Sequence, residues 1–374
     1  MKFIIEKNKI EKFVDRNLMA VSNSSGYSAL GGLLFELNRE GLLIISTDQE
    51  LSIKSFIDYS EFIEINSLGR ILVNAHMLKN ILKKLKNNIS FEVVENNLFL
   101  RSGLDEFSLK LNDVNEFPEI DFRNQGDKLT IQANHLREAI KNTIFACYQS
   151  KETAREKNSY ILYSCLNLRA RDGYLDVIAS DRIRIAFETV PIEKFIDLNI
   201  AVKNKNLKDF ILEEIKEEID IYVTNSKISY TYDNTTIQAV LFVEEYKNLK
   251  SVFPKSEELE HYFQIEKKEL LEITSKATII STSEKNNSII FNVSKQELSV
   301  KFNEDEKGNS TIKTKNFSYQ GDGFVFKVNY KYLKDAISVF EDKINFFISK
   351  NKTKLLINSQ SNKNNKQIIG LIQI

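Results

Sequence analysis

A five-residue motif recurs three times along the chain at nearly constant spacing. Leu78–Leu82 (LKNIL) returns as Leu207–Ile211 (LKDFI) and as Leu333–Ile337 (LKDAI), and the intervals are 129 residues (78 to 207) and 126 residues (207 to 333). Self-similarity at so long a period indicates repeated structural units. We therefore predict three tandem domains, at residues 1–123, 124–254 and 255–374.

Each copy of the motif lies in an amphipathic helix. In a helix over Asn74–Lys86, positions i, i+3, i+4 and i+7 are apolar, and the other face carries His76, Lys79, Lys83 and Lys86. The same reasoning predicts five more helices: Lys9–Val21, His135–Tyr148, Asn204–Ile215, Lys268–Ile280 and Tyr330–Phe340. One strand-like run precedes each helix and three follow it. The predicted fold class is α+β, with two β-α-β-β-β halves in each domain.

Composition limits the class of protein. A hydrophobic content of 42% in 374 residues is typical of globular domains. Charges appear at once in Met1–Lys7, and the sequence has no run of about 18 apolar residues, so we expect neither a signal peptide nor a membrane span, and a cytoplasmic location. Cys147 and Cys165 fit neither a disulfide framework nor a metal-binding spacing.

The overall charge argues against bulk attraction to nucleic acid. The chain has 52 basic and 52 acidic residues, which gives a formal net charge of zero. Proteins that hold nucleic acid by neutralising phosphates usually have a basic excess. Any DNA-binding role must therefore depend on segregated charge, or on something other than affinity.

Four short motifs carry a resemblance to a known family. They are Ser46–Glu50 (STDQE), Arg101–Leu109 (RSGLDEFSL), Glu116–Pro118 (EFP) and Ser180–Arg184 (SDRIR). In this order, within a threefold repeat, they resemble the bacterial DNA polymerase III β subunit, the sliding clamp. The resemblance covers the whole chain.

The resemblance implies the DNA-clamp fold in a head-to-tail dimer. Three domains in each chain would form a ring of six, with twelve helices lining a central channel and sheets on the outer rim. The channel would hold double-stranded DNA without sequence preference. Its candidate cations are Lys9, Lys12, Arg16, Lys79, Lys83, Arg137, Lys141, Lys205, Lys208, Lys276, Lys331 and Lys334. For any single one of them, an ordinary solvated helix face is the alternative.

The resemblance also implies a hydrophobic groove between domains two and three that takes a short peptide. Its expected ligands come from the DNA polymerase III catalytic subunit, the clamp loader, repair polymerases, mismatch-repair proteins and ligase. The residues that would line it are Tyr163, Ser180, Arg182, Ile183, Arg184, Ile185, Lys247, Ser251, Val252, Ile368, Gly370, Leu371 and Ile372. A last buried strand would equally explain the apolar carboxyl terminus.

Several positions depart from the family pattern. Arg182 and Ile183 stand where a Gly-His pair is usual, Lys247 replaces a proline, and Gly370–Ile372 replaces Met-Pro-Met. The groove would therefore prefer a more acidic peptide. Ser24 replaces an arginine that contacts DNA in the family, so that contact is expected to be absent.

The expected dimer seam also departs from the family. Family clamps place arginines in the domain-one strand and glutamates in the facing domain-three strand, whereas this chain has the opposite signs. We predict a seam of reversed polarity with an apolar centre. Its residues are Asp105, Glu106, Ile279, Ile280, Lys307, Lys313 and Lys315.

Catalytic interpretations are weaker. Asp48 with Glu50, and Asp181, resemble paired carboxylates, but Asp48 and Asp181 follow strands at equivalent places of their repeats, which favours a structural role. The three histidines, His76, His135 and His261, lie in different repeats without a second ligand at metal-binding spacing. We expect no enzyme activity, cofactor or metal. A repeat scaffold that binds only proteins is the main alternative function, and a divergent hydrolase is the other.

Overall fold

The structure, a computed structural model, describes residues 1–22, 28–149, 158–193, 196–281, 287–304 and 307–374. The chain divides into two compact units. Unit 1 contains Met1–Asn134 and Lys205–Leu241, and unit 2 contains His135–Asn204 and Phe242–Ile374. Ser24 lies outside the described residues. No helix in the described ranges is both long and apolar enough to cross a membrane.

The helices follow the predicted periodicity but are shorter than predicted. In the described ranges they are α1 (Lys7–Asn17), α2 (Ala75–Leu82), α3 (Ala133–Lys141), α4 (Asn158–Tyr163), α5 (Asn204–Leu207), α6 (Lys267–Ala277) and α7 (Tyr330–Ser338). A helix begins within two residues of each of the six predicted starts, and each ends between two and eight residues early. Asparagine caps begin two of them: Asn74 Oδ1 accepts the backbone N–H of Met77, and Asn329 Oδ1 accepts that of Lys331, each at 2.9 Å.

The prediction of a long helix over Asn204–Ile215 is wrong, because α5 ends at Leu207. The hydroxyl of Tyr230 donates to the carbonyl of Phe210 at 2.7 Å and accepts the N–H of Leu212 at 3.2 Å. These backbone groups therefore form hydrogen bonds with a side chain instead of the backbone hydrogen bonds of a helix. The apolar residues that suggested a helix are still buried, so their spacing could not distinguish the two conformations.

Twenty-six strands lie in the described residues. The first ten are β1 (Lys2–Glu6), β2 (Gly32–Leu37), β3 (Gly41–Thr47), β4 (Leu51–Asp58), β5 (Phe62–Ser67), β6 (Gly69–Asn74), β7 (Asn88–Val94), β8 (Asn97–Ser102), β9 (Asp105–Lys110) and β10 (Asp127–Gln132). The next seven are β11 (Cys165–Arg171), β12 (Tyr174–Ser180), β13 (Arg184–Pro191), β14 (Leu198–Lys203), β15 (Glu218–Val223), β16 (Lys227–Tyr232) and β17 (Thr235–Val240). The last nine are β18 (Leu259–Glu266), β19 (Ser288–Val293), β20 (Leu298–Glu304), β21 (Gly308–Thr314), β22 (Phe317–Tyr319), β23 (Phe324–Asn329), β24 (Lys343–Ser349), β25 (Lys354–Ser359) and β26 (Asn365–Gly370).

The element order confirms six β-α-β-β-β halves. A single strand, a helix and three strands recur as β1-α1-β2-β3-β4, β6-α2-β7-β8-β9, β10-α3-β11-β12-β13, β14-α5-β15-β16-β17, β18-α6-β19-β20-β21 and β23-α7-β24-β25-β26. Helix α4 and strands β5 and β22 are additions to this pattern. The sequence-based fold class is therefore confirmed.

The halves exchange their first strands. In unit 1, β1 joins the three strands of the second half in a sheet of order β5-β1-β7-β8-β9. The other sheet of unit 1 has the order β10-β15-β16-β17-β4-β3-β2-β6, in which β17 pairs antiparallel with β4. This pairing places Ile237 opposite Ile53 and Ala239 opposite Leu51, so one sheet continues between two repeats.

Unit 2 repeats the arrangement. Its larger sheet has the order β14-β11-β12-β13-β26-β25-β24-β18-β22, and β13 pairs antiparallel with β26. Its smaller sheet has the order β21-β20-β19-β23. Sheets thus continue across the repeat boundaries.

Aromatic side chains fill the core of each unit between helices and sheets. Phe3 stacks on Phe91 in unit 1, and Phe263 stacks on Phe346 in unit 2, with ring centroids 4.6 Å apart in both pairs. All four rings are fully buried. Truncation of any one to alanine is expected to cost about 3–5 kcal/mol.

Candidate functional site

Unit 2 has a pocket of about 380 Å³ beside the junction of β13 and β26. The residues that line it are Tyr163, Ser180, Arg182, Ile183, Ile185, Leu249, Val252, Thr353, Lys354, Ile368 and Gly370. Eight of these eleven belong to the groove predicted from the sequence. Most of the lining is apolar, and a pocket of this size and character suits side chains of a short peptide.

The turn between β12 and β13 forms one wall of the pocket. Arg182 has a φ of 78°, in the left-handed region that few non-glycine residues adopt. The hydroxyl of Ser180 holds this conformation, because it accepts the N–H of Arg182 at 3.0 Å and donates to the carbonyl of Arg184 at 2.8 Å. The turn leaves the side chain of Ile183 54% exposed at the pocket.

Gly370 allows the end of β26 to lie close against this turn. Its N–H donates to the carbonyl of Ile183 at 2.8 Å, and a Cβ on residue 370 would lie 3.1 Å from that oxygen. A larger residue would therefore fill the pocket wall and press on the turn. The sequence does not signal this role, because a glycine within a strand also marks bulges and tight bends.

Sequence reasoning missed three lining residues: Leu249, Thr353 and Lys354. Lys354 donates from Nζ to the carbonyl of Val252 at 2.7 Å, which fixes the segment that crosses the pocket. No local sequence motif indicates that a lysine will make this hydrogen bond. Leu249 falls in the right segment, since it lies between the predicted residues Lys247 and Ser251.

Five predicted groove residues do not line the pocket. Arg184 is buried, and its guanidinium bonds to Asp181 and Asp335 instead. Lys247 and Ser251 are exposed outside the lining, Leu371 packs against the core of unit 2, and Ile372 is 38% exposed beyond the end of β26. The prediction that Arg184 lines the groove is therefore wrong.

The charge of the pocket is positive. None of the described residues that line it is acidic, whereas Arg182 and Lys354 are basic. The guanidinium carbon of Arg182 lies 5.2 Å from the ring centroid of Tyr160, a cation–π contact that restrains this side chain. Lys247 adds an exposed cation nearby in the sequence.

A second group of candidates is the set of basic residues on or next to the helices. Of the twelve predicted channel cations, five are exposed and have no ion-pair partner in the part of the chain that the structure describes: Lys83, Lys141, Lys208, Lys331 and Lys334. Lys208 follows α5 in a turn rather than lying within a helix. These five keep their full charge for an external anion.

Other predicted channel cations bind carboxylates within their own unit. Lys9 pairs with Glu61 at 2.6 Å, Lys205 with Glu50 at 2.9 Å, Lys276 with Glu272 at 2.6 Å, and Lys12 with Asp233. The hydrogen bond to Glu61 raises the pKa of Lys9. Arg137 is half-buried. These residues offer less net charge to an anion than the unpaired lysines.

The prediction that Arg16 and Lys79 project outward is wrong. Arg16 is 5% exposed and donates to Glu214 at 2.8 Å, Asp233 at 2.9 Å and the hydroxyl of Thr235 at 2.9 Å. The side chain of Lys79 is 13% exposed and contacts two carboxylates of α1. Burial lowers the pKa of Lys79, but hydrogen bonds to these carboxylates outweigh it, so the pKa is raised overall.

The predicted seam residues lie at or beside two sheet edges. Asp105 and Glu106 are exposed on β9, the edge of the five-stranded sheet, and Lys313 is exposed on β21, the edge of the four-stranded sheet. Lys307 and Lys315 flank β21. Ile279, two residues after α6, is 80% exposed, whereas Ile280 packs against the core of unit 2.

Comparison with known proteins identifies the family. Residues 1–121 match the family model for the N-terminal domain of the DNA polymerase III beta subunit, and residues 250–371 match the model for its C-terminal domain. The two matches together cover most of the chain. The chain belongs to the DNA polymerase III β subunit family.

Relatives and solved structures of β subunits match over the whole length. The beta sliding clamp of Mycoplasmopsis pulmonis is 28% identical over 389 aligned residues, which cover 100% of both chains. The crystal structure of the Bacillus subtilis sliding clamp superposes with a TM-score of 0.90 at 22% identity, covering 100% of this chain and 99% of that one. The Thermotoga maritima β subunit gives a TM-score of 0.89 at 18% identity, with the same coverage. The clamp fold is thus shared.

Members of the β subunit family are non-catalytic, and the carboxylates singled out above have structural roles here. Asp48 Oδ1 accepts the backbone N–H groups of Glu50 at 2.9 Å and Leu51 at 2.7 Å. Asp181 Oδ1 accepts two N–H groups at the same positions of its own turn, each at 3.0 Å. In both turns the residue after the aspartate has a positive φ, 75° and 78°. The aspartates therefore hold equivalent turns.

Proposed function

We propose that this chain is a sliding clamp that encircles duplex DNA and tethers replication and repair proteins to it. Two copies would assemble head to tail into a ring of six domains, with domains at residues 1–123, 124–254 and 255–374 of each chain. The ring would act in the cytoplasm, without a cofactor or a metal. Entrapment, rather than tight binding, would keep it on the duplex.

The pattern of sheet joins within the chain carries this proposal. At both joins, the last strands of two halves pair antiparallel: β4 with β17, and β13 with β26. These are the first half with the fourth, and the third half with the sixth. The last strands of the fifth and second halves, β21 and β9, lie at sheet edges.

The same rule, applied once more, would pair β21 of one copy with β9 of the next. Such a contact uses two different surfaces, so it is heterologous, and it closes into a ring when the rotation permits. Two copies would then pair both edges. Closure would also remove edge strands that otherwise promote aggregation.

The unpaired lysines support a DNA-holding surface. Lys141, Lys331 and Lys334 are on helices, and Lys83 and Lys208 directly follow helices. Lysines contact phosphates without reading the base sequence, which suits a ring that must slide. The formal net charge of zero agrees with a protein whose hold on DNA does not depend on bulk attraction.

The pocket of unit 2 supports the tethering function. Its apolar lining would accept the anchor side chains of short peptides, and its size is in the range of small-ligand pockets. The expected partners are the DNA polymerase III catalytic subunit, the clamp loader, repair polymerases, mismatch-repair proteins and ligase. Because they would share one pocket, these partners should compete.

The seam would have carboxylates on β9 and lysines around β21. Asp105 and Glu106 would lie on one strand of the seam, and Lys307, Lys313 and Lys315 of the partner on or beside the other, with Ile279 and Ile280 near the apolar centre. Exposed ion pairs contribute only about 0–1 kcal/mol each, so they would select the partner more than they would stabilise the ring.

A topological experiment tests the proposal. The protein is loaded onto nicked circular DNA by its clamp loader, separated from free protein, and half of the sample is then cut once. We expect retention on the circle and loss from the linear DNA, and retention should return when both ends of the linear DNA are blocked by bound proteins. Equal behaviour on circular and linear DNA would contradict the proposal, and a protein-binding scaffold would stay on neither.

A peptide titration tests the tethering function separately. Ile183→Asp should abolish binding of a short apolar-anchored peptide, because it places a charge in the pocket wall. Ile63→Asp is the matched control, since Ile63 is 52% exposed on β5 and Ile183 is 54% exposed. Unchanged binding to the Ile183→Asp variant would exclude this pocket as the peptide site.

A further inference from the structure

The three repeats end in the same pattern of backbone hydrogen bonds, and this pattern identifies equivalent residues in the three repeats. The residue after the last strand donates its N–H to the preceding hairpin: Leu111 to Asn96 at 3.0 Å, Leu241 to Ser226 at 2.8 Å, and Leu371 to Thr353 at 2.8 Å. The next residue donates to the exchanged first strand: Asn112 to Leu72 at 2.9 Å, Phe242 to Ala201 at 2.8 Å, and Ile372 to Lys327 at 2.8 Å. Lys110, Val240 and Gly370 are therefore equivalent.

In two repeats, this equivalent residue makes the first hydrogen bond of a sheet join. Val240 donates to the carbonyl of Glu50, and Gly370 donates to the carbonyl of Ile183, both at 2.8 Å. Each acceptor is the residue immediately before the paired strand, β4 or β13. The corresponding residue before β21 is Lys307.

The third member, Lys110, presents its N–H to the open edge of β9. Leu111 forms a hydrogen-bonded pair with Asn96, so its neighbour Lys110 belongs to a pair whose backbone groups point away from β8. We propose that this N–H donates to the carbonyl of the partner's Lys307. The inference rests on the proposed ring, and it specifies the register of the seam.

This register makes definite pairs across the seam. Leu109 would lie opposite the partner's Gly308, Phe107 opposite the partner's Ser310, and Asp105 opposite the partner's Ile312. These are the non-hydrogen-bonded pairs, in which side chains approach most closely. The pairs between them, including Glu106 with the partner's Thr311, would exchange backbone hydrogen bonds.

Phe107 is at the centre of the helix-side face of these pairs. Phe107 pairs with the buried Leu100, so its ring lies on the core face of β9, where it is 37% exposed at the edge. On β21, the hydroxyl of Ser310 donates to the carbonyl of Ala277 in α6 at 2.6 Å, so Ser310 faces the helix. In this register Phe107 would cover the exposed side chain of the partner's Ile279 beside that helix end.

The opposite face carries charges of alternating sign. On one side of the seam, Lys2 pairs with Glu92 at 2.9 Å, Glu92 pairs with Arg101, and Arg101 pairs with Glu106 at 2.5 Å. On the other side, Lys313 pairs with Glu297 at 2.8 Å. The register makes Glu106 a diagonal neighbour of the partner's Lys313, within reach of long side chains.

The seam would then complete one row of side chains in which each charge is next to charges of the other sign. The row is Lys2, Glu92, Arg101, Glu106, and the partner's Lys313 and Glu297. Asp105 lies on the other face in this register, so the contact with the partner's Lys313 belongs to Glu106. The row explains how both edges can keep their intramolecular ion pairs when the ring forms.

Disulfide crosslinking tests the register. Phe107→Cys with Ser310→Cys in one chain places cysteines in a non-hydrogen-bonded pair, with Cα atoms about 4.5 Å apart, which a disulfide spans. Mild oxidation should give a covalent dimer on a denaturing gel, and reducing agent should reverse it. The native Cys147 and Cys165 are buried, so they do not compete.

The matched control moves one cysteine by two residues. Phe107→Cys with Ile312→Cys keeps the same face but separates the Cα atoms by about 7–8 Å, beyond the usual disulfide range. It should crosslink at least tenfold more slowly. Faster crosslinking of the control, or a disulfide within a monomer, would overturn the register.

The native mass of the reduced variants separates the two hypotheses. A dimer that crosslinks only at the expected pair supports both the ring and its register. A dimer that does not crosslink there overturns the register and leaves the ring intact. If the unmodified chain is itself a monomer, the ring is overturned.

Discussion

The guanidinium of Arg184 binds the carboxylate of Asp335 at 2.6 Å and so ties the turn before β13 to helix α7. It also donates to Asp181 at 2.9 Å and to the carbonyl of Phe145 at 2.7 Å, and it lies 4.4 Å from the ring centroid of Tyr332. Arg184 is 8% exposed. A buried guanidinium with all these partners holds elements together and is not available to a ligand.

We therefore expect Arg184→Met to destabilise unit 2 by about 2–4 kcal/mol, because Asp181 would keep a poorly solvated charge without its cation. Urea unfolding followed by circular dichroism measures this loss. Arg182→Met, two residues away and exposed, should change the free energy of unfolding by less than about 0.5 kcal/mol. Equal losses in the two variants would contradict the assignment.

The positive pocket predicts a preference for acidic peptides. Two peptides with identical apolar anchors are compared, one flanked by Asp and Glu and the other by Asn and Gln. The affinity of the acidic peptide should be several-fold higher at low salt. Arg182→Gln with Lys247→Gln should reduce the difference, since Lys354 remains in the pocket, and isothermal titration calorimetry measures it.

Lys366→Gln is the control for this substitution, because Lys366 is exposed on β26 and does not line the pocket. It should leave the preference unchanged. Equal binding of both peptides to the unmodified chain would exclude an acidic preference, while the pocket would remain the peptide site.

The repeat architecture could be predicted from the sequence because each half keeps its own apolar periodicity. The helix spacing around Leu78, Leu207 and Leu333 survives in all three copies, and the strand pattern follows each. Burial of one face dictates this periodicity locally, so no distant partner is needed to recognise it. The eight groove residues were carried over by family resemblance instead.

The failures have a common physical cause, which is a partner far away in the chain. Arg16 binds Glu214 and Asp233, 198 and 217 residues further on, and Arg184 binds Asp335, 151 residues further on. A basic residue on a polar helix face has the same local pattern whether it meets solvent or a distant carboxylate. Sequence periodicity alone therefore could not separate Arg16 from its exposed neighbours.

The unpaired lysines should dominate the salt dependence of DNA binding. Replacing Lys141, Lys331 and Lys334 by Gln should lower the slope of log affinity against log salt, measured on a short linear duplex by fluorescence anisotropy, by up to roughly 0.9 for each phosphate that is no longer neutralised. Replacing Lys9, Lys12 and Lys276 by Gln is the control, because it makes the same charge change in residues already paired with carboxylates. It should lower the slope less. An equal or larger effect of this second set would contradict the distinction.

Asp233 should contribute to the acid stability of unit 1. Hydrogen bonds from Lys12 and then Arg16 hold its pKa below the ordinary value. Because the folded pKa lies below the unfolded one, the contribution is present above about pH 4 and is lost as pH falls through the folded value.

Asp233→Asn should therefore lower the free energy of unfolding by about 1 kcal/mol at neutral pH, a figure reduced for the 40% exposure of this side chain. The free energy of unfolding should also fall less steeply as the pH is lowered. Urea unfolding between pH 2 and 7 measures both. Asp127→Asn serves as the control, since Asp127 is exposed and has no ion pair with the described residues. If the free energy of unfolding of Asp233→Asn falls as steeply at acid pH as that of the unmodified chain, the role of this carboxylate is contradicted.

Reversing the charge of the β9 edge should weaken the dimer in a salt-dependent way. Glu106→Lys would set a lysine beside the partner's Lys313, and Asp105→Lys would add a second cation to the same edge. The dissociation constant of the double variant at low salt should rise about tenfold, which corresponds to about 1.4 kcal/mol. Sedimentation equilibrium measures it, and the effect should shrink at 1 M salt, where the screening length falls to about 3 Å.

Glu40→Lys with Glu64→Lys makes the same change of net charge at exposed positions away from β9. It should leave the dimer intact, because only charges within a screening length of the seam act on it strongly. Equal weakening by both double variants would assign the effect to net charge. An intact dimer in Asp105→Lys with Glu106→Lys at low salt would mean that the seam does not have the proposed polarity.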